Sequence, residues 1–407
     1  MKSYVFNLIS CLLLISFITF DSISFRFADI LLVVTLNIIV CKFSLFSLFS
    51  VILFMPVVSM YFQVQTGKSY GLLEISTYEL HYQLMFLCIF ACLLILLLYT
   101  NNTSILDHEK QVLKFHDSRE SLLGAYFCAT LAICSAIVAF PSLPFTRGFS
   151  TSSLLPGNAW NHLAIVGLMF SFEKAKKSKY IRFCFVFVII WFISHFERVD
   201  IISFILGLVL VLLVRNNIRV RIKTVIRYCI FILLALIAMV YIGEVRAGNS
   251  SISFFDLLRK LVVQNTATDV AYVFNLSAEY YEHFQLLHGE TYISYLYSIF
   301  PTLDSPITVP NIIKTISFSP GGEYYISEPL INFGIAGVVL IFIVELLVVS
   351  LIIRRHTPYC FYVYLFILCT QFRIIWYGRS FIETALIYFI PICYFVTHKI
   401  FSRKAYL

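Results

Sequence analysis

The sequence predicts an all-α integral membrane protein, with about twelve transmembrane helices and one long external loop carrying short helices. Three observations carry this expectation. Of 407 residues, 60% are hydrophobic and only 13% are charged, with a mean hydropathy of +0.89. A soluble domain of this length needs far more polar surface. Apolar runs approaching bilayer length recur along the chain, and Lys and Arg concentrate in alternate connectors between them.

The runs lie near 4–20, 27–41, 43–62, 82–99, 122–140, 158–172, 183–196, 201–214, 228–243, 328–353, 359–376 and 383–397. With the N-terminus inside, the inner connectors hold Lys110, Lys114 and Arg119, then Lys174, Lys176, Lys177, Lys179 and Arg182. Further on they hold Arg215, Arg219, Arg221, Lys223 and Arg227, Arg354 and Arg355, and Lys399, Arg403 and Lys404 in the tail. The outer connectors carry few cations, so both termini read as cytoplasmic. The chain divides into an N-terminal transmembrane bundle (1–243, about nine spans), the long loop (244–327) and a C-terminal bundle (328–407, about three spans). Within the loop, 254–264 and 269–287 have apolar residues at helical spacing and read as surface helices. Pro301, Pro306, Pro310 and Pro320 break its second half into turns.

The net charge of +8 sits in short connectors, where it reports topology rather than a nucleic-acid surface. The eleven cysteines lie in or beside apolar runs and none falls in the long loop. That placement argues against a disulfide framework, and Cys88 and Cys92 read as packing residues. Neither a metal site nor a cofactor is expected.

The residues that stand out lie at outer span ends. Arg147, Arg198, Arg246 and Arg379, with Arg373 slightly deeper, break the charge rule on that side. Cations close to hydrocarbon need a partner or a task, and the guanidinium fork suits phosphate oxygens. A set of them would form a receptor for a lipid-linked phosphate or pyrophosphate; singly they would snorkel or pair with a neighbour such as Glu197. The carboxylates Glu197, Asp200, Glu323 and Glu328 lie at the same level. One of them would serve as a general base towards a sugar hydroxyl, or all would merely neutralise the arginines. His283 is a weaker candidate from the loop.

Leu287-His288-Gly289-Glu290-Thr291-Tyr292, and Glu323 through Gly337 with its Asn-Phe-Gly-x-x-Gly step, bring a resemblance with them, as do Glu197-Arg198-Val199-Asp200 and Val245-Arg246-Ala247-Gly248. In these stretches, and in its layout of many spans with one large late loop, the chain resembles the O-antigen polymerases, the Wzy-type oligosaccharide repeat-unit polymerases of Gram-negative bacteria. The resemblance implies a metal-independent glycosyltransferase of the inner membrane, with the 244–327 loop in the periplasm. Its substrates would be undecaprenyl-pyrophosphate-linked oligosaccharides, and a chain-length regulator protein is a candidate partner. Arg198, Arg246, Glu323 and Asp200 would then be catalytic, and Arg147, Arg373, Arg379, Glu328 and His283 would bind substrate. The competing expectations are a lipid-linked oligosaccharide flippase or transporter, and an O-antigen ligase.

Overall fold

The computed structural model describes residues 2–42, 44–66, 81–115, 121–142, 157–195, 197, 199–216, 234, 237, 240–241, 244, 252–262, 265–298, 307–317, 322–378 and 384–400. Every regular element among the described residues is helical. The N-terminal part contributes α1 (Lys2–Thr19), α2 (Ile23–Cys41), α3 (Leu45–Thr66), α4 (His81–Asn102), the short α5 (Ile105–Lys114) and α6 (Leu122–Ala139). It continues with α7 (Gly157–Ser171), α8 (Lys179–Ser194) and α9 (Val199–Arg215). The loop forms α10 (Phe254–Val262), α11 (Asn265–His283), α12 (Glu290–Ser298) and α13 (Val309–Ile316). The C-terminal part holds α14 (Ser327–Arg354), α15 (Pro358–Cys369), α16 (Gln371–Tyr377) and α17 (Ala385–Ile400).

Local chemistry sets several of the boundaries. Ser121, Ser178, Thr308 and Thr357 each accept an amide hydrogen bond from the first turn of α6, α8, α13 and α15. Prolines occupy the first turns of α13 and α15, where no amide is needed. Small residues let helices approach: Ala125, Ala129, Ala132 and Ala136 of α6 are fully buried. Opposite them, a side chain on Gly167 of α7 would meet the Cys128 carbonyl at 2.5 Å.

Among the described residues, five helices are long and apolar enough to cross a bilayer: α2, α3, α4, α6 and α14. The pair α15 and α16, bent by 58°, makes a sixth if taken as one span. Tyr4–Thr19 and Ala385–Ile400 are shorter apolar helices. The expectation of about twelve crossings is therefore met only as a helical architecture compatible with a membrane protein. The run near 228–243 falls mostly outside the described residues.

Two polar clusters join the helices at separate places. In one, Arg215 pairs with Glu173 at 2.5 Å and donates to the Leu113 and Phe115 carbonyls. In the other, α11 meets α3 and α4 through Ser59–Thr268 (2.8 Å) and His81–Glu282 (3.6 Å).

Three features depart from the sequence reading. The second loop helix, α11, is not a surface element. Val270, Ala271, Val273, Phe274, Leu276 and Ala278 are buried against the bundle. The helix has apolar residues on more than one side, so it packs from several directions at once. The span 359–376 breaks at Thr370. The helix α14 is interrupted at Gly334, whose φ of 68° and ψ of −163° lie in a region open essentially to glycine. Both breaks help to build the polar site.

Candidate functional site

The break at Thr370 turns α16 so that Arg373, 4% exposed, points at the start of α9. Its Nε and Nη2 donate to the two oxygens of Asp200 at 3.0 and 2.7 Å, and Nη2 also reaches Glu197 at 3.2 Å. Asn161 of α7 donates to Asp200 at 3.3 Å, and the guanidinium lies 4.7 Å from the centre of the Tyr377 ring. Asp200 occupies the first turn of α9, where the helix dipole also favours a negative charge. The fork thus ties three helices together in a site closed to water, where an ion pair survives only with this degree of hydrogen bonding.

Tyr377 separates this cluster from a strap, residues 322–327, that leads into α14. The strap is fixed by its backbone and by two aromatic anchors. The Tyr325 amide donates to the Ile375 carbonyl at 2.8 Å. Pro56, inside α3, has no amide for the Ile52 carbonyl one turn earlier, and the Trp376 indole N–H donates to that carbonyl at 3.3 Å. The buried Tyr324 hydroxyl donates to the adjacent Leu53 carbonyl. Pro56 therefore creates an acceptor that locks α16 beside the strap. Glu323, 1% exposed, is held with its carboxylate where a Gly378 side chain would begin. A Cβ there would lie 1.9 Å from Glu323 Oε1, and Gly378 has a φ of 94° and ψ of 168°. Only glycine satisfies both conditions.

A second cluster forms around the interrupted start of α14. The break at Gly334 turns carbonyls out of the helix ladder. The Leu287 and His288 amides donate to two of them, on Ile331 and Asn332, at 3.1 and 3.0 Å. The Asn332 side chain accepts from the Gly289 amide at 2.9 Å and donates to Thr291 at 2.7 Å. Thr291 in turn donates to the fully buried Glu328 at 2.9 Å. Phe333 stacks on Tyr292. The stretches 287–292 and 323–337, remote in the chain, thus close on each other around the buried carboxylate of Glu328.

Of the sequence-predicted residues, the structure pairs Arg373 with Asp200 and Glu197, sets Glu323 against Gly378 just after α16, and holds Glu328 in the second cluster with Thr291. Arg147, Arg198, Arg246 and Arg379 lie outside the described residues. His283 is exposed at the end of α11, its Nδ1 3.1 Å from its own Glu279 carbonyl one turn back. The sequence reading passed over Asn161 and Pro56, and gave Thr291, Tyr377 and Gly378 no role of their own. Only Pro56, a proline within an apolar run, carried a signal of its own. Among the described residues, no group of three or more His, Cys, Asp or Glu side chains is placed to hold a metal ion.

Against family models, curated proteins and solved structures, the chain has no match. The arrangement itself defines what chemistry is open to it. Both Asp200 oxygens already accept from a guanidinium, which makes it a poor proton acceptor and a good anchor. Arg373 is turned towards carboxylates, so an incoming phosphate would have to displace one of them. Glu323 sits at a chain turn rather than within a helix, on a strap whose neighbours hold its backbone in place.

Proposed function

We propose that the chain is a metal-independent glycosyltransferase that joins undecaprenyl-pyrophosphate-linked oligosaccharide repeat units at the periplasmic face of the inner membrane, as the O-antigen polymerases do. One observation carries this reading. The two stretches in which the sequence resembles that family, 287–292 and 323–337, meet around the buried carboxylate of Glu328 where α14, an apolar helix long enough to cross a bilayer, begins. Buried ionisable groups at a membrane boundary are costly and mark sites of function by default.

In the proposed reaction the acceptor sugar hydroxyl attacks the anomeric carbon of the carrier-linked glycan. A new glycosidic C–O bond forms, and the bond to the pyrophosphate oxygen breaks. Glu323 takes the hydroxyl proton, and the lipid pyrophosphate leaves towards the outer arginines, Arg198 and Arg246 first, with Arg147 and Arg379 beside them. Asp200 and Arg373 hold α9 and α16 in register beneath that surface, and Glu328 fixes the loop through Thr291.

The lipopolysaccharide ladder of a deletion strain tests this. Loss of the ladder with a single repeat unit still attached supports polymerisation. Loss of every repeat unit indicates a flippase, and full-length free chains on the carrier indicate a ligase.

A further inference from the structure

A cavity opens on the side of the bundle, next to the strap. It lies between α3, α4, α14, α15 and α16, with Tyr325 of the strap in its wall, and encloses about 90 Å³. Its wall is apolar, with Phe46, Phe49, Phe342 and Leu346 prominent. Beside it on α14, Val344, Leu347, Val348 and Leu351 form an exposed apolar stripe. The mouth therefore faces the bilayer rather than water.

Two polar side chains break the apolar wall. Glu345 stands in the interior of α14, roughly 14 Å of helix from Arg354 and so within hydrocarbon, and the Tyr325 hydroxyl donates to its carboxylate. Gln371, 2% exposed, donates its Nε2 to the Leu45 carbonyl at 3.1 Å. That carbonyl fixes the amide orientation, because the opposite one would set two oxygens against each other. Gln371 Oε1 is left without a hydrogen-bond donor among the described residues. A buried acceptor of this kind keeps its full desolvation penalty until a donor arrives.

We propose that this cavity binds a membrane lipid with a long apolar chain and a free hydroxyl: a lipid alcohol. The hydroxyl end enters the cavity and donates to Gln371 Oε1, with the Glu345 carboxylate in the same wall, and the apolar chain runs out along the exposed stripe of α14. A bare hydrocarbon would leave the acceptor as it is, and a phosphate headgroup would bring negative charge to Glu345. The inference concerns the lipid-facing side and does not depend on the polymerase chemistry.

Full-length protein in lipid nanodiscs, labelled with a diazirine derivative of hexadecanol, tests it. Labelling is expected to saturate, to map to 342–349 or 367–375, and to be competed by hexadecanol but not by hexadecane. Gln371→Leu should weaken apparent binding about fivefold, the worth of one hydrogen bond. Leu346→Trp, which fills the cavity, should abolish labelling. Equal competition by hexadecane would make the site a bare-chain groove and overturn the proposal, as would unsaturable labelling or full labelling of Leu346→Trp. If the variants fail to fold, the competition arm on the unaltered protein still decides.

Discussion

Replacing Arg373 by Met tests whether the guanidinium holds α9 to α16. Met keeps much of the apolar stem and removes the guanidinium, with its charge and its N–H donors. Asp200 and Glu197 would then be buried with their described cation gone; the three side chains are 5%, 0% and 9% exposed. Removing one partner of a buried pair costs ~3–5 kcal/mol, because the remaining charge keeps its desolvation penalty without compensation. Asp200→Asn alone should destabilise by a similar order, leaving the guanidinium with Glu197 only. Adding Asp200→Asn to Arg373→Met should restore part of the loss, giving a coupling energy of ~2–3 kcal/mol. Reversible unfolding in mixed micelles, titrated with a denaturing detergent, measures all four proteins of the cycle. Strictly additive losses, with coupling below ~0.5 kcal/mol, would refute the pairing.

Two further perturbations follow from the geometry. On α5, outside the spans, Glu109 is buried between the Leu45 amide (2.6 Å) and the Tyr364 hydroxyl (2.5 Å), and burial outweighs these donors and Lys110, pushing its carboxyl from the usual 4.5 to about 7. The folded protein then keeps a proton that the unfolded chain releases, so this group's stabilisation is full below pH about 4.5 and gone above about 7. The loss amounts to about 3 kcal/mol, and Glu109→Gln should flatten the stability profile across that window; an unchanged slope would refute the assignment. Gly378→Ala should cost ~1–3 kcal/mol in backbone strain and expel the Glu323 carboxylate. Polymer formation should then fall at near-normal membrane abundance, whereas unchanged polymer would show that Glu323 need not occupy that place.

The helices themselves were legible in the sequence, because a run apolar on every face needs no partner to declare it. The loop helix α11 was misjudged for the same reason in reverse. Its polar residues Asn275, Ser277 and Thr268 are buried in the bundle, a tertiary outcome that periodicity alone does not encode. The pairing of Arg373 with Asp200 spans 173 positions, and both residues stood out singly without indicating each other. Gly334 announced a special backbone position only as part of a motif, and the amides that satisfy its break come from residues more than forty positions earlier. Glu345 and Gln371 were lost in apolar runs, where a single polar residue barely changes the average.

In the proposed reaction Glu323, held by the strap against Gly378, activates the acceptor hydroxyl. Glu323→Gln preserves the shape and removes the base. Polymer length on lipopolysaccharide gels, read alongside membrane abundance and detergent stability of the same variant, tests the claim directly. A loss of rate of ~10²–10⁴-fold at normal abundance and stability is the predicted result. Near-normal polymer, or a loss that merely tracks falling protein levels, would contradict it and leave Glu323 as a structural partner.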